Sequence, residues 1–306
     1  MEDSLLIKLG LPIAIAIIMC GIGLTLSGAD FRRVGERPKP VLVGIVGHYL
    51  LLPLLGFSVG WLFALPIELA VGFVLVAACP SGSSSNALTF LARGNVALAV
   101  TLTVISALVT FVSVPLLVNL ALQVFAGESR DIRLPVGPTI VQLAMMVLGP
   151  VLLGMTVRRA APAFALKVEP WVSKFALGLL VFLIVAIAIA HWELLSRSFV
   201  AVGPAALTMA CASIGLGFLL GRVTGLVLRD SLTIALEVGV QNSTLAIVIA
   251  LTLLQSAEIA IPGAMYGLAM YLPAVLLVLL GRRAVARQEA LASATLPTPS
   301  SPQTSP

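Results

Sequence analysis

Glu237, Gln241 and Asn242 fall within six positions of one another in the run "EVGVQNS", between the apolar stretches "SLTIAL" and "TLAIVIALTLL". An ionised glutamate at the centre of a bilayer costs about 2.5 kcal/mol or more, so something has to compensate it. A second polar island, "CPSGSSSN" (79–86), lies between "AVGFVLVAA" and "ALTFLA". Pro80 has no amide donor and Gly82 is a poor helix former, so the helix is expected to open there. Gly239 is expected to split "EVGVQN" in the same way. Backbone freed at membrane depth survives only where it is buried in protein or lines a cavity. Opened helices offer N–H groups to anions and carbonyls to cations. One such island in each half of a chain is the pattern of a secondary transporter's binding centre. Each island alone also has a plainer reading, close helix packing by small residues.

The elements that carry these islands are membrane spans. The 306 residues are 59% hydrophobic and 10% charged, against about 25% charged in a soluble domain. Mean hydropathy is +1.12. Apolar runs predict an all-α polytopic membrane protein of about nine transmembrane helices, at 5–27, 39–63, 67–92, 95–126, 134–158, 171–191, 198–224, 230–254 and 261–281. "MEDSLLIKLG" begins acidic and runs into a long apolar stretch, which does not read as a cleavable signal. Cys20, Cys79 and Cys211 lie inside apolar runs without metal-like spacing, as small packing residues do.

Alternate joints differ in basic charge. One set holds Arg32, Arg33, Arg37, Lys39, Arg93, Arg158, Arg159, Lys167, Lys174, Arg222, Arg229, Arg282, Arg283 and Arg287; the other holds Lys8, Arg130, Arg133 and Arg197. The positive-inside rule therefore puts the N-terminus outside and the C-terminus in the cytoplasm of a cell's inner (plasma) membrane. The net charge of +5 is then orientation information, with no nucleic acid implied. The segment 286–306, ending "ATLPTPSSPQTSP", is expected to be a disordered cytoplasmic tail.

The runs "ACPSGSSSNALTFLARGNVALAVTLT" (78–103) and "ALEVGVQNSTLA" (235–246) resemble the two signature segments of the bile acid:sodium symporter family. "LPIAIAIIMCGIGLTLSGADF", "LPLLGF" and "IPGAMYG" match in the same order. The resemblance implies a transporter unit over residues 1–285, built of two inverted repeats with two broken, crossing helices. Spans 2–4 and 7–9 would form a core and spans 1, 5 and 6 a panel. It implies sodium-coupled symport of an organic anion by alternating access, with sodium as coupling ion, no cofactor and a monomeric unit in the lipid bilayer. Carried over by motif, one cation site would use Ser85, Asn86, Thr103 and Glu237. A second would use Glu237, Gln241 and the backbone at Val238 and Val240, with His48 standing where the family has a glutamine. Ser83 and Asn242 would contact the anion. Ala99 stands where the first site has a serine. His48 reads either as an interhelical hydrogen bond or as a titratable group able to replace a cation.

Two other readings keep the fold and change the cargo. A cation/proton antiporter of related broken-helix design would favour paired acids at the crossing, whereas Glu237 reads as the one carboxylate at depth. An arsenite-type oxyanion exporter would use a thiol, which Cys79 could supply. No paired acid and base, metal cluster or nucleophile triad marks an enzyme. The substrate class left open runs from small carboxylates to bile-acid-like anions.

Overall fold

The computed structural model describes residues 10–25, 36–127, 136–190 and 192–294. Expectations attached to Lys8, Arg32, Arg33, Arg130, Arg133 and residues 295–306 lie outside them. The described residues are mostly helical, joined by short turns and two breaks, and form no named strand. In chain order they form α1 (Leu11–Thr25), α2 (Pro38–Leu62), α3a (Ile67–Ala78), α3b (Ser83–Leu91), α4 (Val96–Ala126), α5 (Val136–Ala160), α6 (Pro162–Ala190), α7 (Trp192–Val223), α8a (Leu228–Gly239), α8b (Ser243–Thr252), α9a (Ala257–Ala269) and α9b (Tyr271–Ala294). Among the described residues, six helical stretches are long and apolar enough to cross a bilayer, and α1, α3a and α8b are shorter apolar helices. The chain is a multi-pass helical membrane protein. On α6, Leu177, Val181, Phe182, Val185 and Ile189 are exposed, a face suited to lipid rather than water.

The element order around each break is the same. A helix ends in a left-handed turn, at Ala64 (φ 45°) after α2 and at Gly225 (φ 75°) after α7. A 12-residue half-helix follows in each case, α3a or α8a. After the break comes a second half, α3b or α8b, closed by another left-handed residue, Arg93 (φ 57°) or Gln255 (φ 50°). The next helix then begins on a side-chain cap: Asn95 accepts from the amide of Leu98, and Ser256 from that of Ile259.

Prolines shape the flanking helices. α2 widens to a π-turn at Gly47–Leu51 and α5 at Ala144–Leu148, each just before a proline, Pro53 or Pro150. A proline ring has no N–H and crowds the carbonyl four residues back, which a wider turn relieves. His48 lies in the first of these turns.

Packing sorts the helices. α1 lies chiefly along α5 and α6, whereas α3a packs on α2, α4 and α9a, and α8a on α7. α1 and α5 meet backbone to backbone. A Cβ on Gly154 would run into the carbonyl oxygen of Cys20 and lie 2.8 Å from the Cα of Gly23.

One expectation is refined and one needs correction. The eighth span opens directly after Gly239, which is the last residue of α8a; the break falls at 240–242, inside the run expected to be split. The glycine's missing side chain makes room for Ile214, whose Cγ1 occupies the place a Cβ would take. The terminal segment is not disordered from 286: α9b runs on through Ala294. Glu289 on that extension bonds Arg229 and, at 3.2 Å, Arg93.

Candidate functional site

The two breaks meet. Cys79 and Val240 both turn extended as their half-helices end, and Ser81 pairs with Gln241 in an isolated antiparallel bridge. The Gly82 amide donates to the Val240 carbonyl at 2.9 Å, and the Asn242 amide to the Pro80 carbonyl at 2.9 Å. Groups freed by each interruption are thus satisfied by the other, as dry surroundings require. α3a then lies against α8b, and α3b against α8a.

Glu237, 1% exposed, sits on the last turn of α8a at this crossing. Ser85 Oγ donates to one carboxylate oxygen at 2.5 Å, and Thr103 Oγ1 to the other at 3.0 Å. Asn86 Oδ1 is 3.5 Å from the Thr103 hydroxyl. Among the described residues, the groups bonded to this carboxylate are hydroxyls, and no His, Cys, Asp and Glu cluster of metal-binding type is present. Two bonds leave acceptor capacity on a carboxylate, which has about four lone-pair positions. The structure therefore brings together Ser85, Asn86, Thr103 and Glu237 from α3b, α4 and α8a.

The remaining residues are placed differently. Gln241 Nε2 donates to the carbonyls of Val238, at 2.8 Å, and Glu237, at 3.2 Å. Carbonyls can only accept, so Gln241 Oε1 is turned away from them; it is buried and has no hydrogen-bond partner. The Val238 carbonyl receives Gln241, and the Val240 carbonyl receives Gly82. His48 is buried, and its Nε2 lies 3.0 Å from the Cys79 carbonyl. Because that oxygen can only accept, Nε2 carries the proton. Asn242 caps α8b, its side chain accepting from the Leu245 amide at 3.0 Å. Ser83 is the first residue of α3b and is partly exposed; Gly82, before it, offers no side-chain cap. Ala99 is fully buried and contributes no polar atom.

Several contributors were missed in the sequence. Ser81 donates to the Glu237 main-chain oxygen at 3.0 Å, and its own amide donates to Ser106 Oγ at 3.2 Å. Tyr266 donates to the Gly239 carbonyl at 2.7 Å, fastening α9a to the crossing. Ser81 stands inside the quoted polar island and could have been found; Ser106 is one hydroxyl in an apolar helix and gives no signal. Nor is Glu237 the one buried acid. Asp230 on the first turn of α8a is 2% exposed and accepts from Asn95 Nδ2 at 2.7 Å.

Interrupted helices that cross at a buried acid define a class, the helical membrane transporters whose binding centre lies between discontinuous spans. Residues 12–198 match the sodium bile acid symporter family. The chain is 36% identical over 249 residues to the sodium-dependent transporter YocS of Bacillus subtilis, covering 78% of this chain and 73% of that protein. It is 32% identical over 238 residues to the probable sodium/metabolite cotransporter BASS1, chloroplastic, of Oryza sativa, covering 78% and 57%. It is 28% identical over 250 residues to the human ileal sodium/bile acid cotransporter, covering 79% and 69%. The chain spans between 57% and 59% of the length of several chloroplast relatives. The chain belongs to the sodium bile acid symporter family.

Proposed function

We propose that this protein imports an organic anion by sodium-coupled symport. One observation carries the reading. Glu237 is buried among hydroxyls, and Gln241, in the break that follows its half-helix, holds a buried oxygen without a hydrogen-bond partner. A buried acceptor without a donor costs about 1–3 kcal/mol. A hard monovalent cation held by hydroxyl, amide and carboxylate oxygens offsets that cost and the carboxylate's charge together. Ser85, Asn86, Thr103 and Glu237 form one cation site; Glu237, Gln241 and the Val238 and Val240 backbone form a second, with His48 behind it. Ser83 and the start of α8b at Asn242 face the anion, where half-helix amides favour negative charge. The helices around α3 and α8 act as a core, and α1, α5 and α6 as a panel that moves against it. The unit is monomeric, in the plasma membrane, with its C-terminus in the cytoplasm.

The test is sodium-dependent stabilisation of the purified protein in detergent, compared with potassium. At sodium one hundred times its Kd, a single site stabilises by about 2.7 kcal/mol. The native protein should show this shift and Glu237→Gln should lose it while still folding. A full sodium shift in Glu237→Gln would remove the carboxylate from the cation site. Repeating the measurement with a panel of small carboxylates and bile acids identifies the anion.

A further inference from the structure

Asp230 and Thr89 are buried polar groups that neither cation site uses. Glu237 and Thr233 are four apart on α8a, Ser85 and Thr89 four apart on α3b, and Thr103, Ala99 and Asn95 four apart along the start of α4. Residues so spaced share a helix face, about 6 Å further along the axis at each step. The upper level is joined by the bonds from Ser85 and Thr103 to Glu237. At the lower level Thr233 Oγ1 accepts from the Asn95 amide at 2.8 Å. Gly94 fits between the two threonines: a Cβ there would stand 2.8 Å from Thr233 Oγ1 and 2.9 Å from Thr89 Cγ2. One step further, Asn95 Nδ2 bonds Asp230 Oδ1, and Asp230 Oδ2 lies 3.6 Å from Arg37. The Asp230 side chain is 3% exposed and the Arg37 side chain 62%. Glu36, Arg37 and Asn95 line a surface cavity of about 180 Å³. Polar groups therefore run from the buried carboxylate to solvent along three converging helix faces.

The Thr89 hydroxyl gives this column its direction. Threonines elsewhere in these helices return their hydroxyls to the carbonyl four residues back: Thr101 to Ala97 at 2.8 Å, Thr110 to Ser106 at 2.7 Å and Thr252 to Val248 at 2.6 Å. Thr89 Oγ1 forgoes that bond and is buried without any partner. A helix interior offers such a hydroxyl a ready acceptor, so leaving it unused costs stability.

We propose that Thr89, Thr233, Asn95 and Asp230 form the passage by which a monovalent cation moves between Glu237 and the cavity at Arg37, with Asp230 as a transit site at its outer end. Arg37 balances Asp230 when the passage is empty and is released toward solvent when a cation takes its place. The inference rests on the sodium-coupled reading of Glu237.

Thr89→Val separates passage from binding, because valine keeps the shape and removes only a hydroxyl that bonds nothing. Sodium-23 NMR relaxation of the detergent-solubilised protein reads the exchange rate of bound sodium, and thermal stabilisation reads equilibrium affinity. The passage predicts exchange slowed by about tenfold in Thr89→Val, equivalent to 1.36 kcal/mol of barrier. The sodium half-saturation should be unchanged and Thr89→Ser should restore the rate. Asp230→Asn, which keeps an acceptor for Asn95, should also slow exchange. Native exchange in both Thr89→Val and Asp230→Asn overturns the passage. A half-saturation shifted in step with the rate overturns it too, by making Thr89 a ligand of the binding site. A native protein without any sodium-dependent stabilisation would instead overturn the coupling on which the passage rests.

Discussion

His48 holds the end of α3a by a bond to the Cys79 carbonyl, at 3.0 Å. Replacing it with leucine strands that buried oxygen and should cost about 1–3 kcal/mol. His48→Gln, whose amide N–H can reach the same acceptor, should recover most of the loss, as detergent-phase unfolding would show. At this scale the sequence was readable where a residue type is out of place. A carboxylate in an apolar run demands a partner, and the motif resemblance supplied Ser85 and Thr103, which the structure bonds to it. Hydroxyl residues are cheap in membrane helices, so Ser106 carries no comparable warning. Asp230 was hidden by its neighbour: "RD" next to a span reads as a boundary, yet only the arginine reaches solvent while the aspartate turns inward to Asn95.

The half-helices owe their entry angle to left-handed turns. A Cβ on Gly225 meets nothing closer than Lys39 Nζ at 3.9 Å. The cost of Gly225→Ala is therefore conformational, about 1–2 kcal/mol. Ala64 already bears that strain at φ 45°, so Ala64→Gly should be neutral or slightly stabilising. Thermal unfolding of the two variants checks the asymmetry. The existence of both interruptions was legible from Pro80, Gly82 and the polar runs. The second opens just beyond the glycine that marks it, at 240–242. Gly239 invites a break by propensity, and the helix does end on it; its missing side chain leaves room for Ile214, and its carbonyl accepts from Tyr266. The Pro/Ser/Thr-rich end of the chain masked the start of that segment. Residues 286–294 stay helical, and Glu289 there pairs with arginines beside both broken helices.

Across the whole molecule, charge and apolar periodicity reveal the multi-pass class, because bilayer thickness fixes span length. Which helices pack together is decided by contacts no pattern announces, such as Gly23 against Gly154. The crossing itself has a mechanical consequence. Two amides, Gly82 and Asn242, each close a bond onto the opposite break at 2.9 Å, and both lie buried. Interrupted helices ordinarily surrender their protons to heavy water early, through local opening. Here neither can open without undoing the other, so hydrogen–deuterium exchange at these two amides should be as slow as in the middle of α3a or α8a. Rapid labelling of either would mean that the knot unties in each half alone. If both are slow, the paired rods travel as one lever, and whatever is carried between the faces of the membrane passes a fulcrum that does not itself loosen.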